Sequence, residues 1–366
     1  MKYDKYWLYI AAVRGLESGR RRLLLEMLGS PEDIYLASEK QLRSIPLLED
    51  FHIDQLLELR KHDFSADAER FEEQGLHFIT ADEEGFPEKL KNIPDAPLFL
   101  FYYGELPANC SPSVAIVGSR KCSIYGQEVC LMFAKRLAEC GIDIVSGMAM
   151  GVDGFAHRGA IAGGGKTYGI LGCGADICYP SSNSDIYDAM KKRGGIISEY
   201  YPGTQPLPLN FPQRNRIISG LSDVLLVVEA RKKSGTSITV GQALEQGREV
   251  FAIPGRVGDT ISDGCNLLIK NGAHLAGCPE DIIEELKEKY ELLLLAEKKR
   301  KKQVAAELSR QERTIIKKLS FTPVAMDELS AMTGISEKIL PGLLVEMELK
   351  DLVKEVGKNV YVRKKE

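Results

Sequence analysis

VAIVGSRKCSIYGQEVCLMFAKRLAECGIDIVSGMAMGVDGFAH, residues 114–157, decides the fold. VAIV (114–117) is an unbroken apolar run, followed by a Gly-Ser-Arg turn and a helical pattern over GQEVCLMFAKRLAECG. A second short apolar run, DIV (143–145), leads into a second turn of small residues. Continuous apolar runs of this length fit strands covered on both faces, and strand–turn–helix–strand is the repeating unit of a parallel sheet. The repeat continues through TYGIL (167–171), GIIS (195–198), DVLLVV (223–228) and EVFAI (249–253), with SITVGQALEQG as a further helix. An α/β core built on a doubly wound, mainly parallel sheet follows.

The rest of the chain is organised around that core. A length of 366 residues exceeds one ordinary hydrophobic core, so several domains are expected. Residues 1–75 read as a helical domain, with Ser30 capping a helix that starts at Pro31 and Ser38 capping the next. Residues 76–286 form the core, entered through a proline-punctuated connector that ends in an apolar strand near 107. A charged helical linker spans 287–306, and 307–366 reads as three helices and a hairpin around Gly357-Lys358-Asn359, a winged-helix layout. The third of those helices (336–351) is acidic to neutral, which argues against sequence-specific reading of a duplex.

Composition excludes several classes. A hydrophobic fraction of 44% and a charged fraction of 27% are those of a soluble globular protein. No apolar run is long enough to span a bilayer, and the start, with acidic Asp4, makes a poor signal peptide, so a cytoplasmic location is expected. The eight cysteines are scattered without metal spacing and read as packed free thiols; no metal and no cofactor are expected. Acidic residues outnumber basic ones over residues 1–110, while basic ones lead slightly from 111 onward. A polyanion must therefore be held by local basic loops, because the net charge of −4 provides no attracting field.

Candidate loops are visible. FPQRNRIISG places Arg214, Asn215 and Arg216 shortly before an apolar strand, and guanidinium groups in such loops meet phosphate or carboxylate. Gly118, Ser119 and Arg120 bring backbone N–H groups, a hydroxyl and a guanidinium to a helix start, which suits phosphate. Ser146 and Gly147 let a ligand approach backbone closely, and Ser234, Gly235 and Thr236 form a further anion-binding helix start. Lys166 precedes a strand and gains interest only if other cations converge with it. Asp153 reads as a helix cap and His157 as packing; no catalytic residue stands out. GGGKT (163–167) lacks the early glycine of a Walker loop, and LGCGAD (171–176) has Ile177 where a dinucleotide fingerprint needs glycine. No aromatic ladder is visible around the basic loops.

Taken together, GSR, SGMAMGVDGFAH, LGCGADICYP, FPQRNRIISGLSDVLLVVEA, SGTSITVGQALEQGREVFAIPG and GCNLLIKNGA resemble, in order and spacing, the DNA-processing protein A family (DprA, also called Smf). The likeness covers about residues 80–275, with departures at Val152 and Gly163–Gly165. It implies an extended Rossmann-like core, an N-terminal helical domain of helix-hairpin-helix or SAM-like type, and a C-terminal winged helix. It also implies a homodimer that binds single-stranded DNA without catalysis and loads RecA onto incoming DNA coated by single-strand-binding protein, in the natural transformation of competent cells. Carried over residue by residue, the DNA pocket would include Gly118, Ser119, Arg120, Lys166, Arg214 and Arg216. The alternative is a Rossmann-like nucleoside-phosphate hydrolase, with SGTSITVGQALE as phosphate loop and Glu245 as acid. Lys232, Lys233 and Ser234 stand where such enzymes carry Pro-Gly-Gly.

Overall fold

A computed structural model describes residues 4–290, 309–320, 323–350 and 352–363. The chain divides into two compact units, Met1–Leu293 and Leu294–Glu366. Of the linker expected over 287–306, residues from 291 onward lie outside the described residues.

The first unit opens with short helices α1 (Lys5–Ala12), α2 (Ser18–Leu28), α3 (Pro31–Leu36), α4 (Glu39–Arg43), α5 (Asp50–Leu59) and α6 (Phe64–Glu73). Ser30 and Ser38 cap α3 and α4 as expected, each accepting from the backbone N–H three residues on. The apolar side chains of these helices share one core cluster with Phe78, Phe99 and Phe101. Those aromatics belong to β1 (His77–Thr80) and β2 (Phe99–Gly104), an antiparallel pair separated by α7 (Glu88–Lys91).

The parallel core follows as β3 (Ser113–Val117), α8 (Ile124–Glu139), β4 (Asp143–Ser146), α9 (Val152–Ala162), β5 (Thr167–Ile170), α10 (Ser184–Met190), β6 (Gly194–Ser198), α11 (Asn210–Gly220), β7 (Val224–Val227), α12 (Thr236–Glu245), β8 (Glu249–Ala252), α13 (Asp263–Lys270), β9 (His274–Leu275) and α14 (Pro279–Lys289). Among the described residues the sheet has the order β1-β2-β6-β5-β4-β3-β7-β8-β9. Strands β3 to β9 pair in parallel, and β2 joins β6 antiparallel.

Alternation explains why both faces are covered. Val114 and Ile116 pack into one cluster with α8, α9 and α14, while Ala115 and Val117 pack into another with α11, α12 and α13. Cys130, Cys173 and Cys265 are buried free thiols, and Cys140 is also buried. Among the described residues no helix is long and apolar enough to cross a membrane.

The second unit contains α15 (Arg310–Lys318), β10 (Val324–Ala325), α16 (Met326–Thr333), α17 (Leu340–Leu349), β11 (Val353–Gly357) and β12 (Val360–Arg363). Its sheet runs β10-β12-β11, so the expected hairpin gains a third short strand. This is a winged helix around Ile315, Leu329, Leu344 and Met347. On α17, Glu346 and Glu348 are exposed, in keeping with the acidic-to-neutral helix read from the sequence.

Candidate nucleic-acid interface

From β3 the chain winds through β4 and β5 to β6 on one side of the sheet, then crosses to β7 and β8 on the other. Loops leaving the carboxyl ends of β3 and β7 therefore diverge, and the crevice between them is where open α/β sheets bind ligands. Gly118, Ser119 and Arg120 lie there. A Cβ on Gly118 would stand 2.7 Å from Val152 and 2.9 Å from the Glu229 carbonyl, so only glycine fits. The Ser119 N–H donates to the Glu229 carbonyl (2.8 Å), and the Ser119 carbonyl accepts from Val152 (3.2 Å). The turn is thus fixed between β7 and α9.

Arg120 projects from that turn, exposed, and among the described residues its guanidinium forms no ion pair. It lies 5.4 Å from the ring centroid of Phe211, and the Tyr179 ring stands 5.8 Å from Phe211. Phe211 and Tyr179 are the functional candidates that sequence reasoning missed. Tyr179 lies 59 positions and Phe211 91 positions from Arg120 in the sequence, and only the sheet order brings them together. Tyr179 is 45% exposed, so this aromatic pair is partly open to solvent.

The expected phosphate-binding helix start behind Arg120 needs correction. Glu229, 1% exposed, accepts from both the N–H (2.8 Å) and the hydroxyl (2.5 Å) of Ser123, the N-cap of α8. An internal carboxylate already occupies the positive end of that helix. Arg120 is left as the outward-facing cation of this turn.

Arg214, Asn215 and Arg216 do not form an open clamp. They lie on α11, and both arginines are buried. The Arg214 guanidinium donates to the carbonyls of Gly147 (2.7 Å) and Ile170. A Cβ on Gly147 would fall 2.2 Å from it, so Gly147 clears the space that Arg214 fills. Asp153 accepts from the N–H groups of Gly147 (3.1 Å) and Ala149 (3.3 Å), holding this loop in place of capping α9. Burial pushes the Asp153 carboxyl up, against the opposing pull of Arg214. Ser146 is fully buried and donates to the Ile116 carbonyl (2.6 Å). Arg216 donates to Glu199 (2.6 Å), Ser18 (3.1 Å) and Asp95 (3.2 Å), and Asn215 between the arginines is half-buried.

Lys166 does not join this group. It precedes β5, so it lies at the amino ends of the parallel strands, while Arg120 follows β3 at the carboxyl ends. Its ammonium pairs with Glu105 (2.5 Å). Nearby Asp143, the first residue of β4, is raised to about 6 by burial, against the attraction of Lys166 and Lys89. Its folded carboxyl holds a proton more tightly than the unfolded one, so its contribution to stability falls as pH rises from about 4 through about 6. Asp143→Asn should therefore raise the unfolding free energy at pH 7 by about 3 kcal/mol and leave it nearly unchanged at pH 3, as read by urea unfolding.

Of the remaining candidates, Gly235 is an exposed N-cap of α12 without a side-chain cap; Thr236 is buried, and among the described residues the Ser234 hydroxyl has no hydrogen-bond partner. Glu245 ends the same helix, about 14 Å from Thr236 at 1.5 Å per residue, so the acid and the phosphate loop of a nucleoside-phosphate hydrolase are not brought together. His157 is fully buried against Thr167 (2.7 Å) and lowered to about 3 by burial and by Arg214 and Arg158, a neutral packing residue.

Comparison with known proteins bears on this arrangement. The family model described as DNA recombination-mediator protein A matches residues 77–287. The chain belongs to that family. A second model, the DprA winged helix domain, matches residues 299–357. DNA processing protein DprA of Streptococcus pneumoniae is 44% identical over 203 residues, covering 56% of this chain and 72% of that protein. Protein Smf of Escherichia coli is 44% identical over 216 residues, 59% of this chain and 58% of its own length. Among solved structures, the X-ray structure of S. pneumoniae DprA superposes with a TM-score of 0.67 at 36% identity, over 78% of this chain and 99% of that one. DNA processing protein A of Helicobacter pylori, whose structure was described for its single-stranded DNA binding mode, gives a TM-score of 0.53 at 29% identity, over 58% and 97%.

Proposed function

We propose that this chain is a non-enzymatic recombination mediator that binds single-stranded DNA at the carboxyl ends of β3 and β7 and loads RecA onto it. The observation that carries the reading is the exposed Arg120 beside Phe211 and Tyr179 at the switch point of the sheet. A guanidinium takes a phosphate, while an open ring takes the face of an unstacked base; a duplex offers the first but not the second. Gly118 and Ser119 shape the turn that aims Arg120. Ser146, Gly147, Arg214, Asn215 and Arg216 support the interface from beneath, and Ser234, Gly235 and Thr236 border it. Lys166 has no part in the site.

The family relationship supports the recombination role, and the DNA processing proteins it resembles support a partner that is DNA. RecA, single-strand-binding protein and a second copy of the chain are the partners of the proposal, acting in the cytoplasm during natural transformation. Exposed Leu267 and Leu275, on α13 and β9, supply apolar area at the sheet edge for the second copy. RecA filament growth on a single strand coated with single-strand-binding protein tests the mediator step. Added chain should shorten the lag before growth; an unchanged lag at saturating chain would contradict it.

A further inference from the structure

Cations at the carboxyl end of the sheet are segregated. On one side of β3, the loops after β4, β5 and β6 (147–151, 171–180 and 199–209) contain neither lysine nor arginine. Their exposed side chains include Met150, Tyr179 and Leu207. On the other side, Arg231, Lys232 and Lys233 follow β7 and Arg256 follows β8, all exposed. Strands β3, β7 and β8 are adjacent and parallel, and neighbouring strands lie about 4.8 Å apart. These loops therefore continue outward from Arg120 in one direction only.

We propose that Arg231, Lys232, Lys233 and Arg256 form a second phosphate track, which leads a single strand from the Arg120 site outward over β7 and β8. This rests on the single-stranded DNA reading above and adds a direction to it. Phosphates run along the β7–β8 side, and the base at the Arg120 site meets the cation-free β4–β6 side. Among the described residues, the one ion pair that engages these cations is Lys232 with Asp263, at 3.8 Å, with the Lys232 side chain 63% exposed. Asp259 is the acid of the loop after β8, and its carboxylate accepts from the Ile261 N–H. The positive start of α12 lies beside the track and has no side-chain cap, which adds to the field there. An extended polyanion can use cations spread over three loops, whereas a mononucleotide cannot reach them all.

The test uses the full chain and two oligothymidylates, about 4 and about 16 nucleotides long, the limits of site sizes common in single-strand-binding folds. The triple variant Arg231→Ala, Lys232→Ala, Lys233→Ala should weaken the longer strand at least tenfold and reduce the slope of log affinity against log salt by about 2, as expected for three lost phosphates. It should leave the shorter strand and the unfolding midpoint unchanged. The charge-keeping variant Arg231→Lys, Lys232→Arg, Lys233→Arg should bind as the unaltered chain does. Unchanged affinity and slope for the longer strand would overturn the track, as would equal weakening of both strands. Arg120→Ala, run beside it, should weaken both strands; if it weakens neither, the single-stranded DNA site itself has failed.

Discussion

Arg216→Ala should lower the unfolding free energy by about 3–5 kcal/mol, the cost of leaving a buried partner charge uncompensated. Glu199 is 9% exposed, and its carboxylate is held by Arg216 and by the Ser18 hydroxyl. Arg216 also reaches Asp95, so one guanidinium joins the start of α2, the end of β6 and the segment after α7. Burial disfavours its charge, but Glu199 and Asp95 outweigh that and hold its pKa above the usual value. Urea unfolding at neutral pH reads the effect directly. If Arg216 were a surface contact to DNA, alanine would spare stability and cost affinity, the opposite pattern.

Phe211→Ala should weaken single-stranded DNA binding by about fivefold to a hundredfold, because base–aromatic stacking contributes about 1–3 kcal/mol per base. The ring is half-buried: it covers Gly172, where a Cβ would approach it to 3.0 Å, and the guanidinium groups of Arg120 and Arg214 lie 5.4 and 5.9 Å from its centroid. The substitution therefore removes both the stacking face and the surface that orients Arg120. Binding to duplex of equal length should weaken less, because paired bases do not present their faces and only the support of Arg120 is lost there. A loss of the same size for duplex and single strand would remove the stacking role.

The parallel sheet was legible because strands buried on both faces are short apolar runs, and each run from Val114 to Ile253 is one. β1 was harder to see: HFIT begins with a polar residue, lies beside acidic ADEEG, and is a strand only because β2 pairs with it. The Gly118–Arg120 turn could be read from its position after a strand. Lys166 was expected in the pocket with Arg120, yet the same rule puts it on the opposite side, since a residue that precedes a parallel strand lies at its amino end. Arg214 and Arg216 were misleading for a different reason. Their burial depends on Gly147 and Glu199, which come from other strands, and nothing local in FPQRNR distinguishes an inward arginine from an outward one. Phe211 stood beside the arginines in the sequence, yet its contact with Arg120 depends on the crossing of the chain from β6 to β7.

The most direct test of the interface is a fluorescence anisotropy titration of a single strand of about 16 nucleotides, over a salt series, with the chain and its Arg120→Ala, Phe211→Ala double variant. An Arg120–Phe211 interface predicts affinity reduced by about a hundredfold and a salt slope shallower by about 0.7 for the lost phosphate, in a variant that still unfolds cooperatively in urea. Unaltered affinity and slope in a folded double variant would contradict it.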